Sequence, residues 1–134
     1  MKMYVYYNPN PRGRWYAGDC VIRAIAKATG KTWIEAYMAL YVMGMQMGDL
    51  ANADAVWTAY LKSRGYKREI IPNECPDCYT VGDFAHDNPV GTYVLGTGKH
   101  AVTVIDGVIY DAWDSSDEIP IFYMEKISNK YRQR

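Results

Sequence analysis

Cys20, His100 and Asp111 are the side chains whose types and order suit this chain to covalent chemistry. A cysteine attacks a carbonyl carbon as the thiolate, and a free thiol titrates at about 8.5, so an attacking thiol needs a nearby cation or a helix N-terminus. Cys20 is placed for the second of these. Gly18-Asp19 leads into a helical pattern that begins at Cys20, and the first N–H groups of a helix carry partial positive charge. The adjacent Asp19 carboxylate would oppose a thiolate, so it is expected to turn away and cap the helix. His100 follows the flexible Gly96-Thr97-Gly98-Lys99 and heads the apolar run Ala101-Val102-Thr103-Val104-Ile105. An imidazole at the end of a strand is firmly held and still reachable, as a general base and acid must be.

The third member follows from strand register. Asp106-Gly107 is a strong two-residue hairpin signal, because both residues of such a turn adopt positive φ. With that turn, Ile105 pairs with Val108, residue 100 pairs with 113, and positions 100, 102, 104, 109, 111 and 113 share one face. Asp111 is then a diagonal neighbour of His100, within reach of the ring, where it would fix the tautomer and favour imidazolium. A turn longer by one residue would select Asp114 instead. An oxyanion hole needs two donors. The Cys20 backbone N–H is one, and the side-chain amide of Asn10 (or Asn8) in the preceding loop is the candidate for the second.

Cys75-Pro76-Asp77-Cys78 is a competing arrangement, half of a zinc site with His86 and Asp83 as further ligands. No second cysteine pair completes it, and the strand-then-helix setting of a redox pair is missing. A loop holding two thiols is the expectation, with no metal and no cofactor.

The elements that must position Cys20 and His100 are legible as periodicity. Met3 to Tyr7 reads as a short strand ended by Asn8-Pro9-Asn10-Pro11. A helix from Cys20 to Thr29 buries Val21, Ala24, Ile25 and Ala28, keeps Arg23 and Lys27 off that stripe, and stops at Gly30. Thr32 and Glu35 form a capping box for a second helix, whose expected buried face is Trp33, Ala36, Tyr37, Leu40 and Tyr41. Met43, Met45 and Met47 with Gly44 and Gly48 suggest that its end frays or bends. Asp54 is the expected cap of a third helix, with a stripe of Val56, Trp57, Tyr60 and Leu61 and a stop at Gly65. Strand patterns then cover Tyr66–Ile71, Thr92–Leu95, Ala101–Ile105, Val108–Trp113 and Ile119–Tyr123, with one short capped helix from Thr80 to about His86. Helices precede strands without βαβ alternation, which predicts an α+β fold with N-terminal helices packed on a C-terminal antiparallel sheet.

The bulk numbers exclude several classes. A chain of 134 residues with 49% apolar and 22% charged residues is expected to form one globular domain over residues 1–134. Fifteen basic residues balance fifteen acidic ones, so the field that draws proteins to nucleic acid or anionic membrane is absent. The apolar Tyr4–Tyr7 run is too short for a signal peptide or a membrane span. Three cysteines without an export signal suggest reduced thiols and a cytoplasmic monomer. Thirteen tyrosines and four tryptophans read first as packing residues, with an aromatic-lined recognition groove as the alternative.

The stretch Gly18-Asp19-Cys20-Val21-Ile22-Arg23-Ala24-Ile25, with His100-Ala101-Val102 and Asp111-Ala112-Trp113, resembles papain-like cysteine peptidases. Cys-Val-Ile-Arg-Ala-Ile is similar to the Cys-Leu-Phe-Arg-Ala signature of OTU deubiquitinases. His-Ala-Val with Asp-Ala-Trp is similar to the papain pattern of His-Ala-Val with Asn-Ser-Trp. The compact layout also resembles small bacterial peptidases related to bacteriocin-leader processing. The resemblance implies a papain-like domain, bacterial or phage-borne, that acts on a protein or peptide substrate. Cys20 would be its nucleophile, His100 its general base and acid, and Asp111 the orienting residue. The chain departs from both patterns upstream. Arg14 stands where papain-like enzymes carry Gln, and Ala17 stands where OTU enzymes carry Asp. A catalytically inactive binding module and an acyl transferase on the same fold are the alternatives.

Overall fold

The computed structural model describes residues 3–72 and 78–127. Among them the elements run β1 (Tyr4–Tyr6), α1 (Cys20–Thr29), α2 (Trp33–Met47), α3 (Asp54–Ser63), β2 (Tyr66–Ile70), α4 (Val81–Asp87), β3 (Thr92–Gly96), β4 (Ala101–Ile105), β5 (Val108–Asp111) and β6 (Phe122–Lys126). The class is α+β. The strands form one sheet in the order β1-β5-β4-β3-β6-β2. This sheet is mixed, which corrects the antiparallel expectation: β1 lies parallel to β5, with Tyr6 opposite Asp111. The N-terminal strand thus borders the very segment that carries Asp111.

Alternation along the strands divides the core into two layers. Val94, Ala101, Phe122 and Met124 face the layer of α1, α2 and α3, where Ile25, Leu40, Trp57 and Leu61 are fully buried. Tyr93, Leu95, Val102, Val104 and Ile109 face the other side, beneath Val81, Phe84 and Ala85 of α4. The β4–β5 hairpin has the register expected of a two-residue turn, with Ile105 opposite Val108 and Thr103 opposite Tyr110. Asp106 (φ 50°) and Gly107 (φ 77°) both adopt the left-handed backbone that this turn requires.

Several local expectations change in the structure. α2 does not fray: it continues to Met47, and Gly44 is buried where the returning chain crosses it. A Cβ at Gly44 would lie 2.8 Å from the Asp49 carbonyl oxygen. The buried line of α2 is Ala36, Leu40 and Gly44, whereas Trp33 and Tyr37 are only partly buried and Tyr41 is exposed. Ala53, without a side-chain cap, precedes α3, and the Asp54 carboxylate accepts from Trp57 Nε1 at 2.9 Å. β6 begins at Phe122, three residues later than expected.

α1 is the central helix, wedged between α2 and β4 with Val21, Arg23, Ala24, Ile25, Ala26 and Ala28 all buried. A side chain from the sheet ties it in place: the buried Thr103 hydroxyl of β4 donates to the Ala24 carbonyl at 2.7 Å. On its far end, the Tyr66 hydroxyl of β2 donates to the Ala28 carbonyl at 3.2 Å. α1 carries Cys20 and β4 begins just after His100, so these bonds set the spacing of the two. Thr103→Val keeps the shape and removes the hydroxyl. It is expected to destabilise the fold by about 1 kcal/mol, read as a lower urea midpoint with an unchanged slope. An unchanged midpoint would show that the bond adds nothing net.

Candidate active site

Cys20 is the first residue of α1, half-buried against the helical core layer, and it is a free thiol. Its backbone N–H opens the helix and has no carbonyl one turn back within it. His100 sits one residue before β4. Its carbonyl accepts from the Thr97 backbone N–H at 2.9 Å, which closes the turn that positions the ring. His100 Nε2 lies 2.6 Å from Asp111 Oδ2, and His100 and Cys20 line one cleft, each shifting the other's titration. With Nε2 engaged by the carboxylate, Nδ1 is the nitrogen left for the sulfur.

The structure therefore brings Cys20, His100 and Asp111 together at one site, with His100 bonded to Asp111 and facing Cys20. It selects Asp111 over Asp114, because the hairpin turn has two residues and keeps the parity. Asp114 instead accepts from the Ser116 backbone N–H at 3.0 Å.

Charge follows from these contacts. Burial pushes the Cys20 thiol up, but this is outweighed by hydrogen bonds from His100 and the Ala101 backbone and by the positive charges of His100 and Arg23. The thiol is held below its ordinary value. Burial likewise pulls the His100 ring down, but hydrogen bonds to Asp111 and Cys20, and the negative charge of each, raise it to about 9. Both shifts run in the direction that favours thiolate and imidazolium over the neutral pair. For Asp111, burial opposes ionisation, and the hydrogen bond and charge of His100, the Ser115 hydroxyl and the Arg23 charge override it and lower its value.

Three supporting residues went unread in the sequence. Arg23, expected off the buried stripe, is 2% exposed and joins two carboxylates. Its Nη1 donates to Asp19 Oδ1 at 2.8 Å and its Nε donates to Asp111 Oδ1 at 3.0 Å. Ser115 Oγ donates to Asp111 Oδ2 at 2.7 Å. The Trp113 ring packs 4.8 Å from the His100 ring, with the Arg23 guanidinium 5.0 Å from its centroid. The i,i+4 pairing of Asp19 with Arg23, and the Arg in Cys-Val-Ile-Arg-Ala-Ile, were the available signals for Arg23. Nothing in the sequence singled out Ser115.

Asp19 departs from expectation as well. It makes no cap bond. The carboxylate is buried and accepts from Arg23, from Trp33 Nε1 at 2.7 Å and from Asn10 Nδ2 at 3.3 Å. Asn10 is placed beside Asp19, to which its amide donates, and it lines the cavity next to the cleft of Cys20. That cleft, of about 390 Å³, is lined by Trp15, Tyr16, Cys20, Lys99, His100 and Trp113.

The zinc alternative finds little support. Cys75 lies outside the described residues. Cys78 is disulfide-bonded, which departs from the expectation of reduced thiols throughout. Asp83 closes the capping box of α4, and His86 faces Asp87 at 3.4 Å. Among the described residues no helix is long and apolar enough to cross a membrane, and no cluster of three or more acidic, histidine or cysteine side chains could hold a metal.

No family model, curated protein or solved structure matches the chain, so its function has to be read from these residues.

Two outcomes are expected. Arg23→Ala leaves two buried carboxylates short of their cation and should destabilise the fold by about 3–5 kcal/mol, measured by urea denaturation. A loss under about 1 kcal/mol would mean that water or other donors replace the guanidinium. Alkylation of Cys20 by iodoacetamide should persist well below about pH 8.5, the range of a free thiol. In His100→Ala the burial remains while the hydrogen bond and charge are lost, so the alkylation curve should move to higher pH. Superimposable curves would show that the imidazole does not activate the sulfur.

Proposed function

We propose that the chain is a cysteine peptidase or isopeptidase of papain-like type, cleaving an amide bond through a thioester on Cys20. The observation that carries this reading is the continuous contact of Cys20, His100 and Asp111, which supports a resting ion pair at a helix N-terminus beside an open cleft. A relict thiol in a binding module would need neither the activating imidazolium nor its buried carboxylate.

The chemistry follows from the charges. The Cys20 thiolate attacks the substrate carbonyl carbon, and the Cys20 backbone N–H offers one hydrogen bond to the developing oxyanion. The His100 imidazolium gives its proton to the departing amine, which leaves a thioester and a neutral ring. That ring then takes a proton from water as the hydroxyl attacks the thioester, the acid is released, and the thiolate–imidazolium pair is restored. Asp111 holds Nε2–H throughout, and Arg23 and Ser115 hold Asp111. No step calls for a cofactor. If a second amine replaces water at the thioester, the same residues perform acyl transfer.

The test uses a mixed library of peptides that release a fluorescent amine on cleavage. The wild-type chain should give turnover that Cys20→Ala and His100→Ala abolish. Asp111→Ala, which removes the acceptor of the Nε2–H, should lower kcat by roughly 10²-fold or more. Turnover that survives Cys20→Ala, or a library left wholly intact by a chain whose Cys20 alkylates readily at neutral pH, would overturn the peptidase reading.

A further inference from the structure

α2 carries more exposed apolar surface than packing alone requires. Trp33, Tyr37, Tyr41 and Met45 stand four residues apart and therefore in one row along the helix. The first three form a ladder of rings, with centroids 5.1 Å and then 4.8 Å apart. These four side chains wall one side of a groove of about 610 Å³, larger than the cleft at Cys20. Leu50 lines the groove and is 73% exposed, and Met45 is 70% exposed. Apolar side chains left open in a concave surface mark a binding site more often than isolated surface apolars do.

The groove adjoins the cleft. Gly18 and Asp19 line both cavities, and the ladder begins at Trp33, whose indole N–H is bonded to the carboxylate of Asp19, the residue before Cys20. No side chain rises at Gly18, where a Cβ would meet nothing within 4 Å. The opposite wall supplies Arg12 and Arg14. Asp19 is already compensated by Arg23, which leaves Asp49 as the acidic group facing two arginines.

We infer that this groove holds an extended segment of the peptide substrate, bearing large apolar side chains at alternate positions and an acidic side chain toward Arg12 and Arg14. The inference rests on the peptidase reading and names its substrate class. The dimensions are similar: the row advances about 6 Å along the helix axis per ring, with centroids 5.1 and 4.8 Å apart, and alternate side chains of an extended chain repeat at about 6.6 Å. From Trp33 to Met45 the row covers about 18 Å, the span of roughly five extended residues. Segments on one side of the scissile bond would lie against the ladder while the bond itself reaches Cys20 across Gly18.

The test separates binding from chemistry. Random peptides displayed on phage are selected on the full chain carrying Cys20→Ala, which cannot turn them over. Enriched peptides should carry alternating large apolar residues with Asp or Glu. Adding Tyr37→Ala and Tyr41→Ala should weaken their binding about tenfold or more. Adding Arg12→Ser and Arg14→Ser instead should remove the acidic preference and keep the apolar one. In a chain with Cys20 intact, the tyrosine substitutions should leave the iodoacetamide rate at Cys20 within about twofold, which shows that the site is still assembled. No enrichment overturns the inference, as does equal binding by the tyrosine variant. Sedimentation showing a dimer that the tyrosine substitutions dissolve would assign the surface to a second copy and also overturn it. Selected peptides that bind the ladder yet are not cleaved by the wild-type chain would remove the peptidase reading and leave the groove. Cleavage with a KM unchanged by the tyrosine substitutions would do the reverse.

Discussion

A guanidinium sealed from solvent needs opposite charge within hydrogen-bond reach, and Arg23 meets that need with Asp19 on one side and Asp111 on the other. The pairing ties the start of α1, with the residue just before it, to the end of β5, 88 residues along the chain. With His100 as a cation, two positive and two negative side chains balance inside the site. A thiolate at Cys20 then adds one negative charge at the positive end of α1, where a helix tolerates it best. The ion pair at the sulfur thus sits on a buried cluster whose net charge is one negative, and its stability depends on the members beneath it.

Where the cluster sits matters as much as its composition. By strand alternation, residues 102, 104 and 109 face α4, whereas Ala101 and Thr103 face α1. His100 and Asp111 lie at the ends of β4 and β5, where the sheet stops and side chains need no longer choose a face. The first turn of α1 comes over that end, so a helix from one layer reaches a carboxylate that alternation assigns to the other. Trp113, just past the end of β5, fills the space with a ring that touches both the imidazole and the guanidinium.

The helix pattern was read correctly wherever one stripe met one surface. Val56, Trp57, Tyr60 and Leu61 of α3 form such a stripe, and all four are buried. α1 and α2 broke the rule in opposite ways. α1 is covered on nearly every side, so a charged residue off its apolar stripe could still be interior. α2 is apolar around most of its circumference but fully buries just the narrow line of Ala36, Leu40 and Gly44, with Ala39 and Met43 packed partly beside it, which leaves its aromatic row facing a groove. Periodicity reports which residues share a face of a helix; how many neighbours cover the helix is a property of the assembled layers.

Local signals in the sequence by themselves determined the start of α1 at Cys20, the capping boxes at Thr32 and Thr80, and the Asp106-Gly107 turn. Through the two-residue turn they also determined that Asp111 rather than Asp114 shares a face with His100. Each depends on residues close together in the chain, where backbone sterics and short hydrogen bonds decide the outcome. Only the tertiary structure decided that Arg23 is buried, that Ser115 supports Asp111, that Asn10 donates to Asp19, and that β1 lies parallel beside β5. Those outcomes turn on which charges and edges meet once the layers close. A buried ion accepts whatever partner the packing brings within about 3 Å, and no spacing along the chain encodes that meeting.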